Sequence, residues 1–460
     1  MKAIYDRPRV LADGLEAIRT QFQLPGAFPP AVEAEAATAA RKPLADRVDR
    51  TGIAFATLDP TSSTDLDQAF AIELSGSDLI LRYAIADVAC FVGENCAVDR
   101  EAWARGETIY MPDEKVSLYP PVLSEGAASL LPDVDRPAIL FIVRIDGGGA
   151  AHLYGVERAV IRSRAKLGYA TVRPEDLPDG FADLSRRIQA AEQVRSASRV
   201  DPPQQEVVRA ADGSFALEFR TVSAAEQSNA ALSLAANLAI ADALYRHGTG
   251  LFRVMPEPDE RAVRRLRHSA SALGVDWPKS ISLEDRERSL DPNDPKQAAF
   301  MLAIRRAGTH ASYEPFRPGG RPWHSAMRAT YVHATAPLRR LADRLVCEAA
   351  LAIANGRPVP DSVASAFELL PAVMNGADAR AAQVDAAVLE LAESVVLAGR
   401  AGERFGGVVT DIDERGARVQ VAQPAIITRI PANGLAIGAA VRLRLDEADP
   451  ARRLSRFSIA

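Results

Sequence analysis

The sequence predicts an α+β fold, a mixed β-sheet packed with helices and followed by a small OB-like β-barrel. Three observations predict it. Apolar residues alternate in the first 160 positions, recur at three- and four-residue spacing from about Leu184, and fall into five short runs near the end. At 460 residues and 48% hydrophobic, the chain is long enough for two or three domains and apolar enough for a sizeable core.

Residues 1–45 form an N-terminal extension, predicted as one helix from Val10 to Gln23 and then the breaker run Leu24 to Pro30. Strands follow. Ile53, Phe55 and Thr57 alternate, as do Phe70, Ile72 and Leu74, and Ser75-Gly76-Ser77 marks a turn before a strand over Leu79–Val88. Ala138–Ile145 is another strand, and Asp146-Gly147-Gly148-Gly149 reads as a hairpin turn because it lacks the Lys-Ser/Thr of a phosphate loop. Helices are expected over Ala224–Arg246, Asp259–Leu273, Gln297–Arg306, Pro337–Ala354 and Asp378–Ala401. The last unit, residues 403–460, carries strands at Phe405–Ile412, Ala417–Val421, Ala425–Ile430, Ala440–Leu445 and Arg453–Ile459. Residues 46–402 between the two ends make the main domain.

Sixty acidic against 55 basic residues leave a net charge of −5, which excludes a protein that coats nucleic acid indiscriminately. The end segment runs the other way: residues 404–460 hold nine arginines and six acids, and Phe405 and Phe457 are its only aromatic rings for base stacking. No uninterrupted apolar run of membrane length occurs, and Met1–Arg7 lacks the apolar stretch of a secretory signal, so a cytoplasmic protein is expected. Cys90, Cys96 and Cys347 give no disulfide framework or metal spacing; Cys90 and Cys347 lie in apolar runs and read as buried thiols. The six histidines show no metal spacing, and His333 alone stands near other chemistry.

The densest chemical signal is Asp59-Pro60-Thr61-Ser62-Ser63-Thr64-Asp65-Leu66-Asp67-Gln68. Residues two apart on an extended chain share a face, so Asp65 and Asp67 would project together, and a loop returning toward Asp59 would gather three carboxylates. Close anions need a cation, and oxygen donors favour Mg²⁺ or Mn²⁺. A solvated turn whose aspartates cap its own backbone is the simpler alternative. The second signal is Tyr331-Val332-His333-Ala334-Thr335-Ala336-Pro337-Leu338-Arg339-Arg340, running on to Asp343. With Pro337 in a first helical turn, Arg339 and Arg340 would sit where the helix dipole disfavours cations, which makes sense if a phosphate docks there. Pairing of both arginines with acids such as Asp343 is the alternative.

Together these segments resemble the RNB catalytic domain of the ribonuclease II family. Ala84–Ala89, Gly106–Pro112, Leu123-Ser124 and Ser163–Tyr169 resemble further family blocks in the same order, so the resemblance runs from about residue 46 to 400. It implies an RNB-type core and a metal-dependent 3′→5′ exoribonuclease that releases nucleoside 5′-monophosphates from single-stranded RNA. By resemblance, Asp59, Asp65 and Asp67 organise Mg²⁺ or Mn²⁺ and the attacking water, and Arg339 stabilises charge on the phosphate, which makes Asp67 and Arg339 the catalytic pair. Tyr110, Tyr169, Lys166, Tyr331, His333 and Arg340 would line the RNA path.

The departures are informative. The signature's fourth aspartate is Gln68, whose amide oxygen can still ligate a cation at the loss of one charge, although a straight strand turns it away from Asp67. Residues 1–45 are too short for the two cold-shock-type barrels of typical relatives, so a short form with weak RNA grip is expected, for which a protein partner or one dedicated substrate would compensate. A non-catalytic RNA-binding protein with a degenerate metal site, or a nuclease for very short oligonucleotides, stays open beside the exoribonuclease. The oligomeric state is not encoded legibly.

Overall fold

The fold is described by a computed structural model, which covers residues 10–197, 203–209, 215–308 and 310–460. Two helices come first, α1 (Val10–Gln21) and α2 (Pro30–Ala39). The second was not expected, because Pro29-Pro30 reads as a breaker. Pro30 instead occupies the first helical position, where a missing N–H costs nothing, and Val32, Ala36 and Ala39 are buried behind it. The Met1–Arg7 reading lies outside the described residues.

The sheet is built from β1 (Val48–Asp49), β2 (Phe55–Asp59), β3 (Gln68–Ser75), β4 (Asp78–Ala86), β7 (Asp135–Ile145) and β8 (Ala151–Gly168), in the order β1-β8-β2-β3-β4-β7. Between β4 and β7 lie helix α3 (Ala97–Arg105) and the short pair β5 (Ile109–Tyr110) and β6 (Lys115–Val116). The 18-residue β8 is the key element. Its first part pairs antiparallel with β7 and its last part parallel with β2, so the strands close into a ring. The predicted hairpins hold: β3 turns into β4 at Gly76, and β7 into β8 where Asp146 Oδ1 accepts from the amides of Gly148 and Ala150, each at 2.9 Å. Gly149 at φ +81° admits no side chain, since a Cβ would lie 2.2 Å from the Arg187 carbonyl.

Helices α4 (Phe181–Val194), α5 (Ala224–Arg246) and α9 (Leu341–Ala354) pack on this sheet, and α10 (Asp361–Leu397) packs on α9. Alanines 231, 235, 236 and 239 of α5 are fully buried, which lets its backbone approach closely. Between α4 and α5 runs an unpredicted hairpin, β9 (Gln204–Arg209) with β10 (Phe215–Arg220); the turn joining the two lies outside the described residues. The strands β11 (Leu251–Val254) and β12 (Ser312–Pro315) pair with each other and join the main core, while the intervening α6 (Glu260–Leu273), α7 (Leu283–Arg288) and α8 (Pro295–Ala307) build a separate apolar cluster centred on Leu266, Leu273, Phe300 and Ile304. The long α10 begins 17 residues before its expected start and continues through Pro371. The buried stripe Val363, Phe367, Leu370 and Met374 holds it against the core despite the lost hydrogen bond.

The C-terminal unit has strands β13 (Arg404–Asp413), β14 (Gly416–Val421), β15 (Ile426–Ile430), β16 (Ala440–Asp449) and β17 (Leu454–Ile459), ordered β15-β14-β13-β16-β17. With β15 and β17 facing each other, the sheet is a nearly closed five-stranded barrel. Phe405 and Phe457 are not a stacking platform. Both are 6% exposed, and their rings meet edge to face at 5.9 Å inside the barrel core. Among the described residues no helix is long and apolar enough to cross a membrane, and Cys90, Cys96 and Cys347 are free thiols, with Cys347 buried and the other two half-buried.

Candidate active site

Asp59 ends β2, and the hydroxyl-rich loop after it is pinned at several points. Ser129 Oγ donates to the Thr64 carbonyl at 2.7 Å and accepts from the Leu66 amide at 2.9 Å, while the Ala86 amide donates to the Asp67 carbonyl. Lys166 Nζ donates to the Thr61 carbonyl at 3.0 Å, so this lysine fastens the aspartate loop. At Gly168 a Cβ would fall 2.5 Å from Thr61 Oγ1, which keeps β8 close to that loop.

The carboxylates have separate partners. Asp65 takes an ion pair from Lys115 at 3.0 Å on one oxygen and the Tyr110 hydroxyl at 3.0 Å on the other. Lys115 also pairs with Glu125, whose second oxygen accepts from Thr64 Oγ1. Neither Lys115 nor Glu125 was singled out from the sequence; the charged run Asp113-Glu114-Lys115 offers no local sign of this bridge. Asp67 is 5% exposed, and its Oδ1 accepts from the Leu338 amide at 2.7 Å. Its Oδ2 lies 3.7 Å from Arg339 Nε, so the two predicted segments meet here. Burial pushes the Asp67 carboxyl up to about 8, against the opposing pull of Arg339 and the Leu338 amide. Burial, helped by the charge of Asp65, pushes Asp59 up to about 6.

The arginine segment differs from expectation. Arg339 and Arg340 precede α9 and are not in its first turn, because Arg340 is extended at φ −133°, ψ 124°. The competing partner is the chain at Gly106–Thr108. The Thr108 amide donates to the Arg339 carbonyl and the Leu341 amide to the Gly106 carbonyl, with Glu107 and Arg340 bridged antiparallel. Arg339 is left half exposed toward Asp67. Arg340 turns back onto Asp343 through two hydrogen bonds of 3.0 and 2.8 Å, and Asp343 also caps the Ala336 amide.

Arg339 also lines a cavity of about 290 Å³ whose other walls include Gln68, Tyr169, Asn229, Asn237, Tyr331, His333, Thr335 and Arg340. Tyr169 is held by Asn229, which donates at 2.8 Å to its hydroxyl, and Tyr331 by Asn237 at 3.3 Å. His333 Nδ1 meets the Tyr313 hydroxyl at 3.1 Å; burial and then the charge of Arg340 keep its pKa well below the usual imidazole value. Tyr110 is 50% exposed at the Asp65 side. The Gln68 carboxamide meets the hydroxyls of Tyr83 and Ser233.

The donor chemistry suits a hard divalent cation. Asp59 and Asp65 are carboxylates whose mutual repulsion contributes to the raised Asp59 pKa, and a cation would relieve it. Among the described residues no group of three or more His, Cys, Asp or Glu is arranged to hold a metal ion. Mg²⁺ is often held by one or two carboxylates plus substrate phosphate, whereas both oxygens of Asp65 are engaged here by Lys115 and Tyr110.

Residues 47–353 match the RNB domain, and residues 403–460 match the RNase II-type exonuclease C-terminal S1 domain. Ribonuclease R of Thermotoga maritima is 27% identical over 435 residues, covering 87% of this chain and 61% of that protein. Ribonuclease R of Escherichia coli is 29% identical over 359 residues, covering 71% of this chain and 43% of its own length. The chain thus spans roughly half the length of these curated relatives. In fold it resembles Mycoplasma genitalium RNase R in complex with ribose methylated single-stranded RNA, with a TM-score of 0.86, 20% identity, and coverage of 98% of this chain and 78% of that one. It also resembles yeast Ssd1, a pseudonuclease, with a TM-score of 0.73, 16% identity, and coverage of 99% and 59%. The family match covers well over half of the sequence, and the chain therefore belongs to the RNB family, with an S1 domain at its C-terminal end.

Proposed function

We propose that this chain is a metal-dependent 3′→5′ exoribonuclease that hydrolyses single-stranded RNA to nucleoside 5′-monophosphates. The observation that carries the reading is the approach of Arg339 to Asp67 at 3.7 Å, with Arg339 also on the wall of a cavity of about 290 Å³. That volume suits one nucleotide, which favours action at a chain end. The half-exposed Arg339 guanidinium can neutralise charge that grows on a transferring phosphate. Asp67, desolvated and fixed by the Leu338 amide, holds or releases a proton beside that phosphate. Asp59 and Asp65 would hold Mg²⁺ or Mn²⁺, which supplies water activation and charge neutralisation when bound.

Tyr169 and Tyr331 offer rings for sequence-independent stacking, and Asn229 and Asn237 hold their hydroxyls in place. Relatives named Ribonuclease R, and the Mycoplasma genitalium protein solved with single-stranded RNA, support the substrate class. Three free cysteines fit a reducing, cytoplasmic setting. The second reading is a non-catalytic RNA-binding protein, favoured by the engaged Gln68 amide and the likeness to a pseudonuclease. Single-stranded RNA labelled at its 3′ end separates them. Labelled mononucleotide should be the first product with Mg²⁺ or Mn²⁺; binding without any product at every RNA length would favour the second reading.

A further inference from the structure

Strands β5 and β6 pair so that Tyr110 and Lys115 stand directly opposite each other, which puts their side chains on one face. Both end on Asp65, one on each oxygen. Lys115 Nζ lies 3.0 Å from Oδ1, and the Tyr110 hydroxyl donates to Oδ2 at 3.0 Å. The carboxylate is 11% exposed and the lysine side chain 20%, so this pair is drier than an ordinary surface ion pair. The turn between the two strands is fastened from outside the site, by Arg19 of α1 to Asp113 at 2.7 Å. Lys115 has a second partner: its ammonium lies 3.1 Å from Glu125 Oε1, while Glu125 Oε2 accepts from Thr64 Oγ1 at 2.9 Å. An ammonium carries three N–H groups, so both contacts are made at once. Glu125 therefore stands ready to keep the lysine when Asp65 is engaged elsewhere.

We infer that Lys115 is the resident counter-ion of Asp65 and yields to the divalent cation by withdrawing onto Glu125, so that this lysine sets how tightly the centre holds its metal. Lys115 and a divalent cation compete for one carboxylate. They cannot both sit on Oδ1, because a single and a double positive charge a few ångströms apart repel strongly where water is scarce. The lysine has little distance to travel, since it already touches Glu125. Without the cation, Lys115 neutralises Asp65, whose charge is felt as far as Asp59. With the cation bound, it neutralises Glu125 and so stays in place as a fixed positive charge. Lys115 acts through Asp65 and is a positioning residue. The inference rests on the reading in which Asp59 and Asp65 hold the cation, and it concerns a binding step that is measured without turnover.

The test uses the full chain and reads Mn²⁺ binding from the spin signal of free Mn²⁺. Lys115→Met keeps the apolar stem and removes the charge; Mn²⁺ should then bind at least about ten-fold tighter, because no ion pair has to be broken first. Lys115→Arg puts a cation back in the same place and should return the affinity to that of the wild type. A Met variant that binds Mn²⁺ no tighter than the wild type, or an Arg variant that binds as tightly as the Met variant, would overturn the inference. Lys115→Gln is neutral yet still able to donate to a carboxylate. It should gain affinity too, which keeps the test decisive where the Met variant does not fold. Repeating the titrations in 1 M KCl, where screening acts over about 3 Å, separates contact from action at a distance. The gain should persist there, and a gain that vanishes overturns displacement at Asp65. Asp59→Asn and Asp65→Asn locate the cation. If neither weakens Mn²⁺ binding, the reading of these two as its carboxylates fails and takes the inference with it. Weakening by both, without a gain in the Met and Gln variants, sinks the inference alone.

Discussion

Arg339 and Arg340 are neighbours with opposite duties, and alanine at each should produce opposite profiles. The Arg340 side chain is 13% exposed and its partner Asp343 is fully buried, with two hydrogen bonds between them. Removing the guanidinium leaves a buried carboxylate with only the Ala336 amide, and such a broken pair costs about 3–5 kcal/mol. Arg339 is 40% exposed and 3.7 Å from Asp67, so its contribution to stability is below about 1 kcal/mol. Its contribution to rate is the larger one. Loss of a single preorganised donor to transition-state charge costs roughly 10²–10³-fold in kcat, about 3–4 kcal/mol. Urea unfolding followed by circular dichroism, beside turnover of labelled RNA, reads both quantities on the same samples. Arg339→Ala should unfold with the wild type and cleave far more slowly, whereas Arg340→Ala should unfold early. Equal destabilisation by the two variants, or an Arg340→Ala protein of full stability, would refute the assignment.

Two further outcomes are expected. Burial pushes the Glu393 carboxyl up to about 7, although Gln205 and the Ile427 amide donate to it, so the folded state holds its proton more tightly than the unfolded chain. That contribution is complete below the ordinary carboxyl pKa and is lost as pH rises through about 7; Glu393→Gln should remove the slope, on the order of 3 kcal/mol, and an unchanged slope between pH 5 and 8 would count against it. Tyr169→Ala should weaken short-RNA binding by about 1–3 kcal/mol while Tyr169→Phe loses much less, because the ring, not the hydroxyl held by Asn229, carries the stacking; equal losses in both variants would contradict this.

The parts legible in the sequence were those set by local pattern. Each C-terminal strand is short and bounded by turn residues, and the β7–β8 hairpin is announced by Asp146 and its glycines. Asp67 and Arg339 stood out because carboxylates and guanidinium groups cluster in two short segments. What stayed hidden was set by distant partners. The start of α9 moved because Gly106–Thr108, more than 200 residues away, pairs with the arginines. Pro371 and Gly376 masked the first half of α10, which the core holds helical. Closure of the barrel turns Phe405 and Phe457 inward, which the pattern of a single strand does not reveal. Gln68 was readable as a departure, but its two hydroxyl partners lie on β4 and α5, 15 and 165 positions along the chain.

The most direct test of the account is the product ladder from 5′-labelled single-stranded RNA with Mg²⁺ or Mn²⁺, run beside an EDTA lane and an Asp67→Asn lane. The account predicts progressive shortening from the 3′ end that vanishes in both controls, while the Asp67→Asn protein still binds RNA. Intact RNA in every lane, or a ladder that persists in Asp67→Asn, would contradict it.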